Sequence, residues 1–325
     1  MKQSTLLKVA VAAVSAVATL GVHAADDDAE ARKKIEIVQY VAHPSLDAAN
    51  RGFLEGLAEN GFPEDRLEVR QHNAQGESAN NAQIAGSLAR SDADLIFAIA
   101  TPSAQAISQA VDDIPVLFSA VTDPESAKLV DSLEHPGGNV TGTTDANPIT
   151  AQLELLKTIS PDAETVGIVY SSGETNSQTQ VEWAKEAAED LGLEIKTKGV
   201  SRSSEVSQAA NALNVDAIYV PTDNMVVAAL ESLLKVAFSR NIPVIAAEGD
   251  SVERGSLATV GISYEKLGKQ TGAMAAKILK GEAEPADMPV EAQSEYDIYL
   301  NQKTADRIGI EFPEELKEKA LKIFE

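Results

Sequence analysis

The sequence predicts an α/β protein built as two similar lobes, each a parallel sheet covered by helices, and three observations predict it. Runs rich in β-branched residues alternate with helical patterns from Ile35 onward, and such alternation means parallel strands with helices on both faces. The chain also answers to itself: Ile35–Tyr40 matches Val166–Tyr170, Asp94–Pro102 matches Asp216–Thr222, and Asp113–Val116 matches Asn241–Val244, so one α/β unit occurs twice. Finally, the 325 residues leave about 300 after a leader, enough for about two domains.

The leader comes first. Lys2 and Lys8 precede an apolar run over residues 9–22, and Val22-His23-Ala24 offers small residues to a signal peptidase. That run is shorter than the ~20 residues a membrane-spanning helix needs. A cleaved signal peptide over 1–24 and a soluble periplasmic protein, hence a double-membrane bacterium, are expected. Cysteine is absent, which excludes disulfides, thiolate metal sites, a Cys nucleophile and a lipid anchor on cysteine.

Strands are expected at 35–41, 67–72, 95–100, 115–121, 165–170, 193–200, 217–221 and 243–247. In the first helix Leu46, Ala49, Phe53 and Leu57 recur at helical spacing, with Ser45 as N-cap and Gly61 as stop. The polar, Pro-containing join Asp145–Pro148 precedes a helix over 151–159 and suits a crossover between lobes. Val260–Ser263 and a helix over 264–280 follow the second unit, then Pro285–Pro289, a strand at 297–301 and a terminal amphipathic helix near 314–323. These leftover pieces imply repeated crossings, giving an N-lobe of 33–145 plus 262–284 and a C-lobe of 146–261 plus 285–325.

Twenty-seven Lys and Arg against 50 Asp and Glu give a net charge of −23, which argues against a nucleic-acid partner because phosphate contacts need clustered basic groups. In open parallel sheets, ligands bind beyond the carboxyl ends of the strands. Both halves load those loops with small polar residues: Ser45, Thr101, Ser103, Ser119, Thr122 and Asp123 in the first, Ser171, Ser172, Asn176, Asp223, Asn224 and Asp250 in the second. Hydroxyls and free N–H groups at helix N-termini suit a carboxylate, while Asp223, Glu248, Asp250 and Asp145 suit an ammonium, so the set fits a zwitterion gripped between two lobes. Each of these residues is also a common helix N-cap. Tyr40, Phe118, Tyr170 and Tyr219, at or near strand ends, are candidates either for an aromatic pocket wall or for core packing. Trp183 is read as covering a sheet, and His43, although it sits in a candidate binding loop, as a surface or helix-start residue. Phosphate-binding, dinucleotide, zinc-protease and nucleophile-elbow motifs are absent, so neither catalysis, a cofactor nor a metal is expected.

The segments Tyr40–Gly61 (YVAHPSLDAANRGFLEGLAENG), Phe97–Pro102, Phe118–Pro124, His135–Gly142, Tyr219–Asn224 and the 264–281 helix resemble the ABC-transporter substrate-binding protein family whose better-known members bind tryptophan and related aromatic amino acids. The resemblance spans the mature chain. It implies the type I periplasmic binding protein fold, with two Rossmann-like lobes, three crossovers and a ligand trapped by hinge closure. It further implies a monomer that captures a small solute, an amino acid, and hands it to an inner-membrane permease. A sensor presenting its ligand to a chemoreceptor or kinase would read the same way. Carried over residue by residue, the first-half residues named above form the N-lobe wall of the site and the second-half residues the C-lobe wall.

Overall fold

A computed structural model describes residues Arg32–Glu325, so the expected signal peptide lies outside the described residues. The first unit runs β1 (Lys33–Gln39), α1 (Pro44–Glu59), β2 (Leu67–Asn73), α2 (Ser78–Leu88), β3 (Leu95–Ile99), α3 (Thr101–Ala110), β4 (Val116–Val121) and β5 (Val140–Thr144). The second runs α4 (Ile149–Ile159), β6 (Thr165–Ser171), α5 (Thr175–Leu191), β7 (Glu194–Val200), α6 (Val206–Ala212), β8 (Ala217–Val220), α7 (Asn224–Ala228), α8 (Leu230–Ser239), β9 (Val244–Ala246), α9 (Gly249–Glu253) and β10 (Ala258–Gly261). The remainder is α10 (Tyr264–Leu279), β11 (Glu291–Ala292), β12 (Asp297–Asn301), α11 (Gln302–Ile308), α12 (Glu314–Lys319) and β13 (Lys322–Phe324).

Pairing sorts these strands into two sheets among the described residues, ordered β11-β5-β4-β3-β1-β2 and β13-β12-β10-β9-β8-β6-β7. All neighbours are parallel except β10 with β12. The chain passes between sheets three times: from β5 to α4, from β10 to α10, and from β11 to β12. All three crossings lie on the β5/β10 side, so the β2 and β7 edges flank the far side of the cleft.

Each sheet is buried on both faces, which explains strands such as LIFAI with no polar alternation. In lobe one, Phe53 of α1 stacks on Phe97 of β3 with ring centroids 3.9 Å apart. Leu267 and Met274 of α10 complete that face, while Ile107 of α3 and Leu88 of α2 cover the other. Helices α1 and α10 meet through glycines: a Cβ at Gly52 would lie 2.1 Å from the Glu265 carbonyl oxygen, and one at Gly268 would lie 2.1 Å from that of Ala49. Lobe two buries Leu153 and Val181 on one face and Leu233 and Ala237 on the other, and Trp183 covers that sheet as expected, packed partly buried against the first of these clusters.

Several expectations need correction. Strand β5 falls outside the expected strands, because its threonines find partners inside the protein: Thr143 bonds Ser119 and Thr271, and Thr141 bonds the Met288 carbonyl. Pairing of β11 with β5 carries lobe one beyond 284, to Ala292. The last helix stops at Lys319, and Lys322–Phe324 form a strand on β12 instead. Helix α1 begins at Pro44, so His43, not Ser45, occupies the N-cap position.

Candidate functional site

The cleft between the sheets holds a small pocket lined by His43, Ser45, Leu46 and Ala120 of lobe one, and by Thr222, Asp223, Asn224, Val227 and Glu248 of lobe two. Asp145 and Tyr264, from the first and second crossings, complete it. Local geometry explains the convergence, since α1, α7 and α9 each start at a strand's carboxyl end and point their N-termini inward. Ala120 is held at φ +58°, in the left-handed region, where the β4–β5 register breaks.

The lining is acidic. Asp145 accepts from the Thr122 hydroxyl at 2.9 Å and from the Tyr264 hydroxyl, which ties the first crossing to the second. Burial raises the Asp145 pKa, against the opposing effect of those two hydroxyls. Glu248 caps α9 through the Ser251 amide and also takes the Ser251 hydroxyl. Its pKa is pushed up to about 7 by burial and then by the Asp250 charge. Behind the wall, Glu174 accepts from the Asn224 side chain at 2.6 Å and reaches about 8, through burial and the neighbouring Asp223. No lysine or arginine lines the space.

The expected site residues divide into groups. Ser45, Asp223 and Asn224 line the cavity, and Thr122 adjoins it, with its hydroxyl 3.2 Å from that of Thr222 in the opposite lobe. Both Asp223 oxygens are engaged by backbone donors, Val226 N–H at 2.8 Å and Ser171 N–H, so Asp223 caps α7 and ties it to β6. Asn176 reaches the Thr222 carbonyl at 2.9 Å and braces the wall from behind. Asp250 stands outside the cavity lining beside Glu248. Thr101, Ser103, Ser119 and Asp123 are not brought to the cavity: Ser103 faces Asn81, Ser119 accepts from Thr143, and Asp123 caps a turn at Ser126. Ser171 and Ser172 line an outer groove on the β2/β7 side, and the Ser172 hydroxyl bonds the Val200 carbonyl.

None of the four aromatic candidates lines the cavity. Phe118 and Tyr219 are core residues, Tyr219 donating to Gln152; Tyr40 faces the outer groove, and Tyr170 packs on the lobe-two core. Tyr264 is the aromatic ring present instead. Sequence reasoning left His43 out of the site, yet it lines the pocket at 8% exposure. Proline in the first helical turn was the available signal, since it fixes His43 at the mouth of α1.

Two α/β lobes, three crossings and a polar pocket between them define a solute receptor of the type I periplasmic binding protein class. The chain belongs to the ABC transporter substrate binding protein family, whose profile it matches over residues 34–324. It is 42% identical over 287 residues to a "Tyrosine-binding protein" of Clostridioides difficile (strain R20291), covering 87% of this chain and 83% of that one. Among solved structures it is similar to an ABC domain from Streptococcus pneumonia in complex with L-Trp (39% identity, 90% and 100% of the chains, TM-score 0.88). It also resembles the ligand-free, open structure of a substrate binding protein with adhesive properties from Clostridium difficile (44% identity, 90% and 99%, TM-score 0.69). The lower score at the higher identity means that the lobes here are arranged as in the tryptophan complex rather than as in the open form.

Proposed function

We propose that this protein captures an amino acid with an aromatic side chain in the interlobe cavity and delivers it, as an exported monomer without catalytic activity, to the permease of an ABC importer. One observation carries the ligand class: Asp145 and Glu248 line an interlobe pocket with no lysine or arginine in its wall. Buried carboxylates need a partner of opposite charge or must stay protonated. A ligand ammonium supplies that partner; a neutral sugar does not. Leu46, Ala120, Val227 and the Tyr264 ring offer apolar surface to a side chain, and the ligands named for the two relatives support an aromatic one.

A thermal-shift screen over the amino acids tests the proposal. An aromatic amino acid at 100 times its dissociation constant should stabilise the protein by about 2.7 kcal/mol. If no amino acid raises the melting temperature, the reading fails. Export is tested by intact mass from the native host, expected to begin at Ala25; a retained Met1 refutes it.

A further inference from the structure

We infer that Thr122, Thr222 and Gln180 form a latch between the lobes that is set by Asp145, so that the positive charge of the ligand, and not its bulk alone, draws the cleft shut. This rests on the amino-acid reading above. Thr122 follows β4 in lobe one, Thr222 follows β8 in lobe two, and Gln180 sits on α5; all three are buried. The Gln180 carboxamide has one orientation. Its oxygen accepts from the Thr222 N–H at 3.0 Å, so its NH₂ group reaches the Asn176 carbonyl at 3.2 Å and the Thr122 hydroxyl oxygen at 3.5 Å. The Thr222 hydroxyl lies 3.2 Å from that same oxygen. Two groups of lobe two thus converge on one oxygen of lobe one.

A hydroxyl has one proton and two lone pairs. Thr122 can accept from both lobe-two groups only while its own proton points elsewhere, and that proton goes to Asp145 at 2.9 Å. The other Asp145 oxygen accepts from Tyr264. Accepting on both oxygens is the pattern of a carboxylate, and protonation weakens the latch from either side. On the oxygen facing Thr122, the added proton turns the Thr122 proton toward Gln180, whose amide nitrogen has no lone pair to receive it. On the oxygen facing Tyr264, it reduces a charge-assisted bond from Thr122 to a neutral one of about half the strength. The pocket wall shared with Asp145 carries His43, Asp223 and Glu248 but no lysine or arginine, and burial raises the Asp145 pKa. A ligand ammonium reverses that preference. It ionises Asp145, holds the Thr122 proton there and leaves both Thr122 lone pairs to lobe two. The charge is thereby felt at the hinge as well as in the pocket, since Asp145 lies on the first crossing and Tyr264 opens the helix after the second.

The chain has no cysteine, so Gln71→Cys on β2 and Lys198→Cys on β7 place a dye pair on the two edges that flank the cleft, and energy transfer between them reads its opening. The ligands are L-tryptophan, tryptamine, which keeps the ammonium without the carboxylate, and indole-3-propionate, which keeps the carboxylate without the ammonium. At saturation, tryptophan and tryptamine should raise the transfer, and indole-3-propionate should leave it near the unliganded value. Asp145→Asn, which cannot ionise, should bind tryptophan without the rise. In calorimetry, Thr122→Val should weaken tryptophan and tryptamine by about two- to tenfold, the worth of a neutral hydrogen bond, and leave indole-3-propionate within about twofold. Gln180→Leu serves where melting temperatures show Thr122→Val to be unstable. Full closure by indole-3-propionate or in Asp145→Asn, or equal losses for all three ligands in Thr122→Val, overturns the latch and leaves the amino-acid reading intact. Failure of wild type to bind any aromatic amino acid overturns both.

Discussion

The hydroxyls of Thr122 and Thr222, one hundred residues apart in the chain, meet at 3.2 Å and join the two lobes directly. Thr122 spends its proton on Asp145, so Thr222 is the donor between them, and the Gln180 amide approaches the same oxygen at 3.5 Å. Such a contact needs the two lobes drawn together. Thr222→Val should therefore shift the lobes toward the open arrangement and weaken ligand binding by about two- to tenfold, the worth of one neutral hydrogen bond. Calorimetry reads the affinity, and small-angle scattering of the unliganded protein reads the opening.

Asp223 separates stability from binding. Because both of its oxygens accept from backbone amides, Asp223→Asn brings an NH₂ group against one amide donor. The unliganded protein should lose about 1–3 kcal/mol, the cost of an unsatisfied buried donor, while ligand affinity changes little. Denaturant unfolding alongside titration checks it; intact stability with lost affinity would restore Asp223 as the ammonium acceptor.

Glu174 and Glu248 make the unliganded protein sensitive to alkali. Both pKa values are raised in the folded state, to about 8 and about 7. Their contribution is therefore fully present below the unfolded value near 4.5 and is lost as pH rises through 7 to 8. Melting temperature should be lower at pH 8 than at pH 5. Saturating ligand should flatten that slope, because an ammonium stabilises ionised Glu248. A parallel slope with and without ligand would mean that the ammonium does not face Glu248.

The α1–α10 contact tolerates no side chain at its glycines. Gly52→Ala or Gly268→Ala drives a methyl into a backbone carbonyl, so either should destabilise the fold by about 1–3 kcal/mol or more, as overpacking does. Chemical denaturation measures it. Gly86, which has open space where a Cβ would go, provides the control, and Gly86→Ala should be neutral or stabilising.

Sequence disclosed the alternation and the duplication, because buried parallel strands leave dense β-branched runs that survive without context; the three crossings were implied by the family resemblance. Strand β5 escaped: in Val140–Thr144 hydroxyls replace aliphatic groups, and only the assembled interior shows that Ser119, Thr271 and the Met288 carbonyl satisfy them. The lobe-two acids were visible as loop residues, yet Asp223 as a cap and Glu248 as a cavity wall present the same chemistry in one dimension. Tyr264 could not be placed, since its access to the cleft depends on where the second crossing lands. His43 was expected on the surface or at a helix start; it is at the helix start but buried, because the second lobe covers it.

The pairing of α1 with α10 also bears on how the protein is made. Lobe one draws its core from residues 35–120 and then from Ile262, Leu267, Met274 and Met288, so roughly half the chain is synthesised between the two parts of a single interior. As the ribosome releases the early strands, the helix that covers them does not yet exist. Lobe one thus stays unfinished until the chain is nearly complete, so its early strands must wait for a helix made last.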